Sequence, residues 1–273
     1  MKPRPSFPAR LDIANDSAKP KALLGATRVV MPQTAMRGAA PAPLASPTGV
    51  GLDSSAVRRR MVQKLAEQGV QDHVVLEAMG RIERHRFVDS ALVNQAYEDT
   101  SLPIGLGQTI SKPNVVARMI TLLREAPGLQ TAPGLPALPL GRVLEIGTGC
   151  GYQAAVLSLV AREVYSIERL RGLHDKAKEN LRPMRLPNVH LMFGDGMLGY
   201  PKGAPYSAII AAAGGEAVPQ AWIDQLAVGG RIVAPMQTTS GQQALVVIDK
   251  TPQGLQQSLL EAVHFVPLKS GIA

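Results

Sequence analysis

The 273-residue sequence contains a single cysteine, Cys150, which excludes an intrachain disulfide and a cysteine-cluster metal site. Its five histidines include no pair at i, i+4, so we expect no metal site. No run reaches the roughly 18 uninterrupted apolar residues of a membrane-spanning helix, and no compact apolar block near the start resembles a secretory signal. These absences predict a cytoplasmic protein without a membrane span.

Aromatic residues make up only 4% of the chain, which is few for a surface that stacks nucleic-acid bases. The net charge is +8, but residues 1–50 hold seven basic and only two acidic residues, so most of the positive charge lies there. Because the rest of the chain is nearly balanced, charge alone does not indicate a nucleic-acid partner.

Composition divides the chain near residue 54. Residues 1–54 are basic, rich in Pro, Ala, Ser and Thr, and have no sustained helical or strand period, which predicts a disordered extension. Such an extension could keep the protein in solution or bind an acidic partner. Residues 55–273 have the apolar content and periodicity of one folded domain.

Apolar spacing predicts three helices before the first strand: one from Ser54 or Ser55 to Gly69, one after a cap at Asp72, and one over 113–125. A Pro/Gly-rich loop, 127–139, follows them. Strands are predicted at 142–146, 163–167, 189–193, 207–212, 231–234, 244–249 and 259–266, and helices between them at 152–161, 170–182 and 219–226. This alternation predicts an α/β fold with a doubly wound, mostly parallel seven-stranded sheet, N-terminal helices and a C-terminal antiparallel hairpin.

A glycine-rich loop follows the first of these strands, at 145–151. Glycines at 147, 149 and 151 allow the backbone to turn sharply and approach a ligand without Cβ clashes. Their spacing is G-x-G-x-G, which differs from the G-x-G-x-x-G that binds a dinucleotide pyrophosphate. Glu145 would repel a pyrophosphate but would suit a ligand with a positive amino or sulfonium group.

Acidic residues also end the next two predicted strands. Glu168 can accept hydrogen bonds from both hydroxyls of a ribose, or could simply pair with a neighbouring arginine at the surface. Asp195 stands between two glycines and can accept a hydrogen bond from the amino group of adenine. Three such elements at the carboxyl ends of three successive strands predict a site for an adenosine-containing cofactor.

The glycine loop, Glu168 and the Gly-Asp-Gly at 194–196 together resemble the class I S-adenosylmethionine-dependent methyltransferases, which have a Rossmann-like fold. From about residue 56 onward the chain resembles one family in particular, the protein-L-isoaspartate O-methyltransferases. The motifs that support this resemblance lie at 97–99, 102–113, 143–152, 194–196, 229–235 and 263–268. Within the second motif, Gly-Gln-Thr-Ile-Ser at 107–111 is typical of this family rather than of methyltransferases in general.

The resemblance implies that the 55–273 domain transfers a methyl group from S-adenosyl-L-methionine to the free carboxylate of L-isoaspartyl residues, which starts the repair of damaged proteins. It implies S-adenosyl-L-homocysteine as product, isoaspartyl proteins and peptides as partners, and a monomer. Ser111 would be the active-site serine, although capping the helix after Pro113 is an alternative role for it. Thr109, Ile110 and Val266 would contact the substrate. The cofactor would be bound by Glu145, Gly147, Thr148, Gly149, Gly151, Glu168, Arg169, Asp195 and Gly196.

The chain departs from the family pattern at 211–216 and 235–237, and Cys150 stands where a serine is common. The first two departures put the shape of the substrate entrance in question. Cys150 is not expected to act as a nucleophile, because no histidine partner is identifiable.

Other functions are compatible with parts of the sequence. A methyltransferase for RNA, DNA or a small molecule is the main alternative, but a nucleic-acid amino-methylating enzyme usually has Asn/Asp-Pro-Pro-aromatic after the fourth strand, where this chain has Ala-Ala-Ala-Gly-Gly. The glycine spacing argues against a nicotinamide oxidoreductase. A binding protein without activity would not need the predicted cofactor residues, all of which are present.

Overall fold

A computed structural model of the protein describes residues 55–129 and 138–273. The predicted extension, residues 1–54, and most of the predicted loop at 127–139 lie outside the described residues. None of the helices in the described ranges is long and apolar enough to span a membrane.

Three α-helices precede the central sheet: α1 (Ser55–Glu67), α2 (His73–Arg81) and α3 (Pro113–Arg124). Asp72 caps α2, because its side chain accepts hydrogen bonds from the backbone N–H groups of Val74 (2.9 Å) and Val75 (3.3 Å). Its second oxygen lies 2.6 Å from Nε of Arg124, at the end of α3. The predicted cap is confirmed, and it also ties α2 to α3.

The glycine-rich segment before α3 forms an antiparallel hairpin of β1 (Leu102–Gly105) and β2 (Gln108–Ile110). Leu102 pairs with Ile110, and both side chains are buried. Since β2 is anchored in the core in this way, the residue that follows it, Ser111, has a fixed position.

The central sheet is built from seven strands: β3 (Leu140–Ile146), β4 (Ala161–Glu168), β5 (Val189–Phe193), β6 (Tyr206–Ala211), β7 (Leu226–Gln237), β8 (Gln243–Thr251) and β9 (Gly254–Val263). Their order across the sheet is β5-β4-β3-β6-β7-β8-β9. The first five are parallel, and β8 and β9 are antiparallel to their neighbours. The predicted mostly parallel sheet with its C-terminal hairpin is confirmed.

Helices α4 (Tyr152–Leu157), α5 (Arg171–Leu181) and α6 (Gln220–Gln225) follow β3, β4 and β6. Neighbouring residues of one strand belong to different apolar clusters, Val143 to one and Leu144 to the other. Because successive side chains of a strand point to opposite faces, both faces of the sheet are covered. The doubly wound arrangement is therefore confirmed.

Several predicted boundaries were wrong. Helix α4 ends at Leu157, because the chain turns there and Ala161 is already part of β4. Strand β7 begins at Leu226 and runs through Gly230, where a Cβ would lie only 2.9 Å from the carbonyl oxygen of Ser207 in β6. A glycine at this position lets the two strands approach, so it does not end the strand. Strand β9 spans Gly254–Val263 instead of the predicted 259–266.

Candidate active site

A cavity of about 480 Å³ opens at the carboxyl ends of β3 and β4, beside the β1–β2 hairpin. This edge of an α/β sheet is where nucleotide-like ligands bind. Ten of the thirteen predicted site residues line the cavity: Thr109, Ile110, Ser111, Gly147, Thr148, Gly149, Glu168, Arg169, Gly196 and Val266. Glu145, Gly151 and Asp195 are not among the described residues that line it.

The glycine loop, 147–151, connects β3 to α4. Its backbone is left-handed at Gly149 (φ +57°) and Gly151 (φ +91°), a conformation that favours glycine. A Cβ at Gly151 would lie 3.0 Å from Cδ1 of Leu181, so this glycine allows α5 to pack against the loop. Gly151 thus supports the loop, whereas Gly149 lies at the cavity wall.

Cys150 lies within the same loop and is only 3% exposed. Burial raises the pKa of its thiol to about 11. A nucleophilic cysteine needs the thiolate form at neutral pH, so this environment agrees with the expectation that Cys150 is not a nucleophile.

Glu168 joins the glycine loop to the end of β4. Its Oε2 accepts a hydrogen bond from the backbone N–H of Gly149 at 2.8 Å, and its Oε1 accepts one from Leu170 at 2.9 Å. The side chain is 5% exposed and lines the cavity. Each carboxylate oxygen can accept more than one hydrogen bond, so Glu168 can orient the loop and still accept ligand hydroxyl groups.

Glu145 lies behind the loop and is fully buried. Ser166 donates a hydrogen bond to its Oε2, and the Ser166 hydroxyl lies 2.6 Å from that of Thr148, a cavity residue. Burial raises the pKa of Glu145 to about 8, so the carboxyl group is mostly protonated at neutral pH. In this geometry Glu145 supports Thr148 through Ser166, and its direct contact with a cationic cofactor group stays a prediction.

Asp195 caps the short turn after β5. Its Oδ1 accepts a hydrogen bond from the N–H of Met197 at 2.8 Å, and its Oδ2 accepts one from Gly271 at 2.6 Å. The carbonyl of Gly271 in turn accepts a hydrogen bond from Nε of Arg169 at 2.9 Å. Asp195 therefore fixes the position of Gly196 at the cavity, and its contact with adenine stays a prediction.

Ser111 lines the cavity directly after the hairpin. The N-cap residue of α3 is Lys112, and the Ser111 side chain makes no capping hydrogen bond to this helix, so the alternative role of Ser111 as a cap is not observed. Among the described residues, none makes a hydrogen bond with the Ser111 hydroxyl. That hydroxyl can therefore donate to a substrate in the cavity.

The late motif, 263–268, reaches the cavity by pairing with the loop after β6. Gly214 donates a backbone hydrogen bond to the carbonyl of Val266, and Leu268 donates one to the carbonyl of Gly214, both at 2.8 Å. Residues 267–269 also line the cavity. Sequence reasoning missed these three residues, although they overlap the end of a motif that it identified.

The two departures from the family pattern meet beside the cavity. Ala212, in the first departure (211–216), lines it. Gly215 donates a backbone hydrogen bond to Pro235 at 3.2 Å, and Gln237 donates one to Gly215 at 2.9 Å. The two departures are therefore joined by ordinary backbone pairing, and the first of them contributes to the cavity wall.

Arg84 is a further residue that sequence reasoning missed. It is completely buried, and burial lowers the pKa of its guanidinium group. Its Nε donates to the carbonyl of Ala96 and its Nη2 to the carbonyl of Ser111, each at 2.7 Å. The guanidinium carbon lies 4.7 Å from the ring centre of Tyr152, the first residue of α4. Arg84 thus links the segment that bears Ser111 to the helix that follows the glycine loop.

We expect Arg84→Lys to lower kcat about tenfold or more, because a small displacement of a catalytic group has large effects on rate. A lysine keeps the charge but cannot reproduce the two-armed geometry of the guanidinium. The affinity for S-adenosylmethionine, measured by calorimetry, should stay within about twofold, since Arg84 does not line the cavity. Arg86→Lys is the matched control, because the Arg86 side chain is half exposed and pairs with Glu83 at 3.3 Å. An unchanged kcat in a folded Arg84→Lys protein would contradict this positioning role.

The sequence model of the protein-L-isoaspartate(D-aspartate) O-methyltransferase family matches residues 56–273. A protein-L-isoaspartate O-methyltransferase of Methylibium petroleiphilum is 57% identical over 99% of this chain and 98% of its own length. The same enzyme of Leptothrix cholodnii is 61% identical over 82% of this chain and 77% of its own length.

Solved structures are similar as well. A protein-L-isoaspartate O-methyltransferase superimposes with a TM-score of 0.68 at 30% identity, covering 79% of this chain and 67% of the other. A Plasmodium falciparum structure in complex with S-adenosyl-L-homocysteine has a TM-score of 0.63 at 22% identity, covering 78% of this chain and 98% of the other, and it supports the fold alone.

Proposed function

The chain belongs to the protein-L-isoaspartate O-methyltransferase family, and on that premise we propose the role of each cavity residue in its reaction. The enzyme transfers a methyl group from S-adenosyl-L-methionine to the free carboxylate of L-isoaspartyl residues in damaged proteins, which initiates repair. The methyl ester then closes to a succinimide that can open to a normal aspartyl residue.

The described residues fit this cofactor. The cavity wall combines a glycine loop, which permits close approach, with a buried carboxylate that retains acceptor capacity, Glu168. We assign the ribose hydroxyl groups to Glu168 and the methionine part of the cofactor to the loop at 147–149. Gly196 leaves room for the adenine ring, and Arg169 flanks it. Asp195, Glu145 and Gly151 contribute to the same site by holding these residues in place.

S-adenosylmethionine supplies a methyl group on a positively charged sulfur. An isoaspartyl carboxylate is ionised at neutral pH, so it needs no general base to attack that methyl group. What the protein must supply is alignment of the carboxylate oxygen with the methyl–sulfur bond and exclusion of water. We propose that the Ser111 hydroxyl donates a hydrogen bond to the other carboxylate oxygen, while Thr109, Ile110 and Val266 hold the neighbouring substrate atoms.

The observation that supports this assignment best is that Ser111 and Glu168 line one cavity. The substrate side and the cofactor side therefore meet within a single chain, so we propose that a monomer is sufficient for the reaction. We propose a cytoplasmic location, because the only cysteine is buried and no disulfide is needed. We propose that residues 55–273 form the catalytic domain, since the family match begins at residue 56.

The activity is tested with labelled S-adenosylmethionine and two peptides of the same sequence, one with an isoaspartyl and one with an aspartyl residue. We expect labelling of the isoaspartyl peptide only. Its free α-carboxylate lies at a different position from the side-chain carboxylate of an aspartyl residue, and Ser111 can align it with the cofactor. Equal labelling of both peptides, or of neither, would refute the assignment.

A further inference from the structure

A second cavity, of about 370 Å³, opens beside Ser111. It shares Thr109, Ser111, Ala212 and Val266 with the cofactor cavity. Because the isoaspartyl carboxylate must lie at Ser111, the substrate residues next to it in the peptide have access to this second cavity. The remaining lining residues are Ser101, Lys112, Val115, Ala262, Val263, His264 and Phe265.

The lining of the second cavity contains one basic side chain, Lys112. No acidic residue is among the described residues that line it. Lys112 is exposed and forms no ion pair with any residue in the described ranges. Its ammonium group is therefore available to a ligand.

Carboxylates on the elements beside this cavity are engaged elsewhere. Glu261 of β9 pairs with Arg118 of α3, at 2.9 Å between Oε1 and Nε. Asp99 accepts a hydrogen bond from the backbone N–H of Asn114 at 2.8 Å. Neither of these carboxylates is paired with Lys112.

Lys112 directly follows Ser111, so their Cα atoms are about 3.8 Å apart. Neighbouring residues of an extended peptide are spaced by about 3.3 Å. A side chain one or two residues from the isoaspartyl residue therefore comes within reach of a lysine side chain at this position. The charge and the spacing together favour an acidic side chain there.

We propose that the second cavity is a subsite for an aspartate or glutamate side chain that flanks the isoaspartyl residue, with Lys112 as the residue that determines this preference. The proposal rests on the methylation of isoaspartyl peptides described above and adds to it a preference for acidic sequence context. An exposed ion pair of this kind changes kcat/KM by about two- to fivefold, and salt weakens the effect.

The test uses isoaspartyl peptides that are identical except for one flanking residue, glutamate or lysine, placed on either side of the isoaspartyl residue. At low ionic strength we expect the glutamate peptide to have a kcat/KM about two- to fivefold higher on at least one side. Lys112→Glu should reverse that preference. Lys202→Glu is the matched control, because it changes the net charge equally at an exposed lysine that does not line either cavity.

Equal kcat/KM values for the two peptides with the unmodified enzyme would overturn the subsite. So would a shift in preference of the same size in Lys202→Glu, since that would indicate a general effect of charge. In either case, methylation of both isoaspartyl peptides but of neither aspartyl counterpart would leave the enzyme's activity standing. Failure to methylate any isoaspartyl peptide would overturn the activity and the subsite together.

Discussion

Ser111→Ala should lower kcat for an isoaspartyl peptide by about 10- to 100-fold while the Kd for S-adenosylmethionine stays within about twofold. The hydroxyl of Ser111 has no partner among the described residues, so its removal leaves no buried group unsatisfied in the protein. What is lost is the hydrogen bond that orients the attacking carboxylate. Single-turnover kinetics with labelled cofactor measures the rate, and calorimetry measures the affinity.

Ser90→Ala is a suitable control for this prediction. Ser90 is exposed, lies at the start of a short 3₁₀ turn, and does not line the cavity. Its replacement should leave both kcat and Kd unchanged. If Ser111→Ala instead abolished cofactor binding, or left turnover intact, the assigned role of Ser111 would be incorrect.

Glu168→Gln should raise the Kd for S-adenosylmethionine on the order of 10- to 100-fold, because hydrogen bonds to charged groups contribute about 1.5–3 kcal/mol. The glutamine side chain has nearly the same size, but its amide nitrogen cannot accept a hydrogen bond. The backbone N–H of either Gly149 or Leu170 would then face the NH₂ group of the glutamine, which is also a donor. The glycine loop would therefore shift. The ligand hydroxyl groups would also lose an anionic acceptor.

Calorimetric titration with S-adenosyl-L-homocysteine, alongside thermal unfolding without ligand, separates these effects. Glu179→Gln on α5 serves as the control, because Glu179 is exposed and lies outside the cavity. A Glu168→Gln protein that unfolds at a lower temperature but binds ligand normally would show that Glu168 only supports the loop.

The sheet could be predicted because its strands are nearly continuous apolar runs separated by helical patterns, as in β6, where Ala208, Ile209 and Ile210 are all fully buried. The hairpin at 102–110 could not be predicted as strands. Each of its strands has only three or four residues, too few for a recognisable alternation. Its pairing depends on burial against the rest of the core, which local sequence does not encode.

The cofactor loop was predictable from glycine spacing, whereas the role of Ser111 came only from family resemblance. The position of Glu145 depends on strand register: it pairs with Ser166 across β3 and β4, and this register buries it. Local sequence does not determine that register. The role of Arg84 could not be predicted from local sequence either, because the carbonyl groups to which it donates belong to Ala96 and Ser111, far along the chain. No periodic pattern identifies an arginine that is buried in a turn.

The buried thiol of Cys150 can report on ligand binding, because Cys150 lines the cofactor cavity. With a pKa near 11, only about one thiol in ten thousand is ionised at neutral pH, and the side chain is shielded by the fold. An alkylating reagent should therefore react with this thiol slowly. Since the chain has no other cysteine, the modification rate with and without S-adenosyl-L-homocysteine measures how far the bound ligand shields this thiol, with no label introduced by mutation.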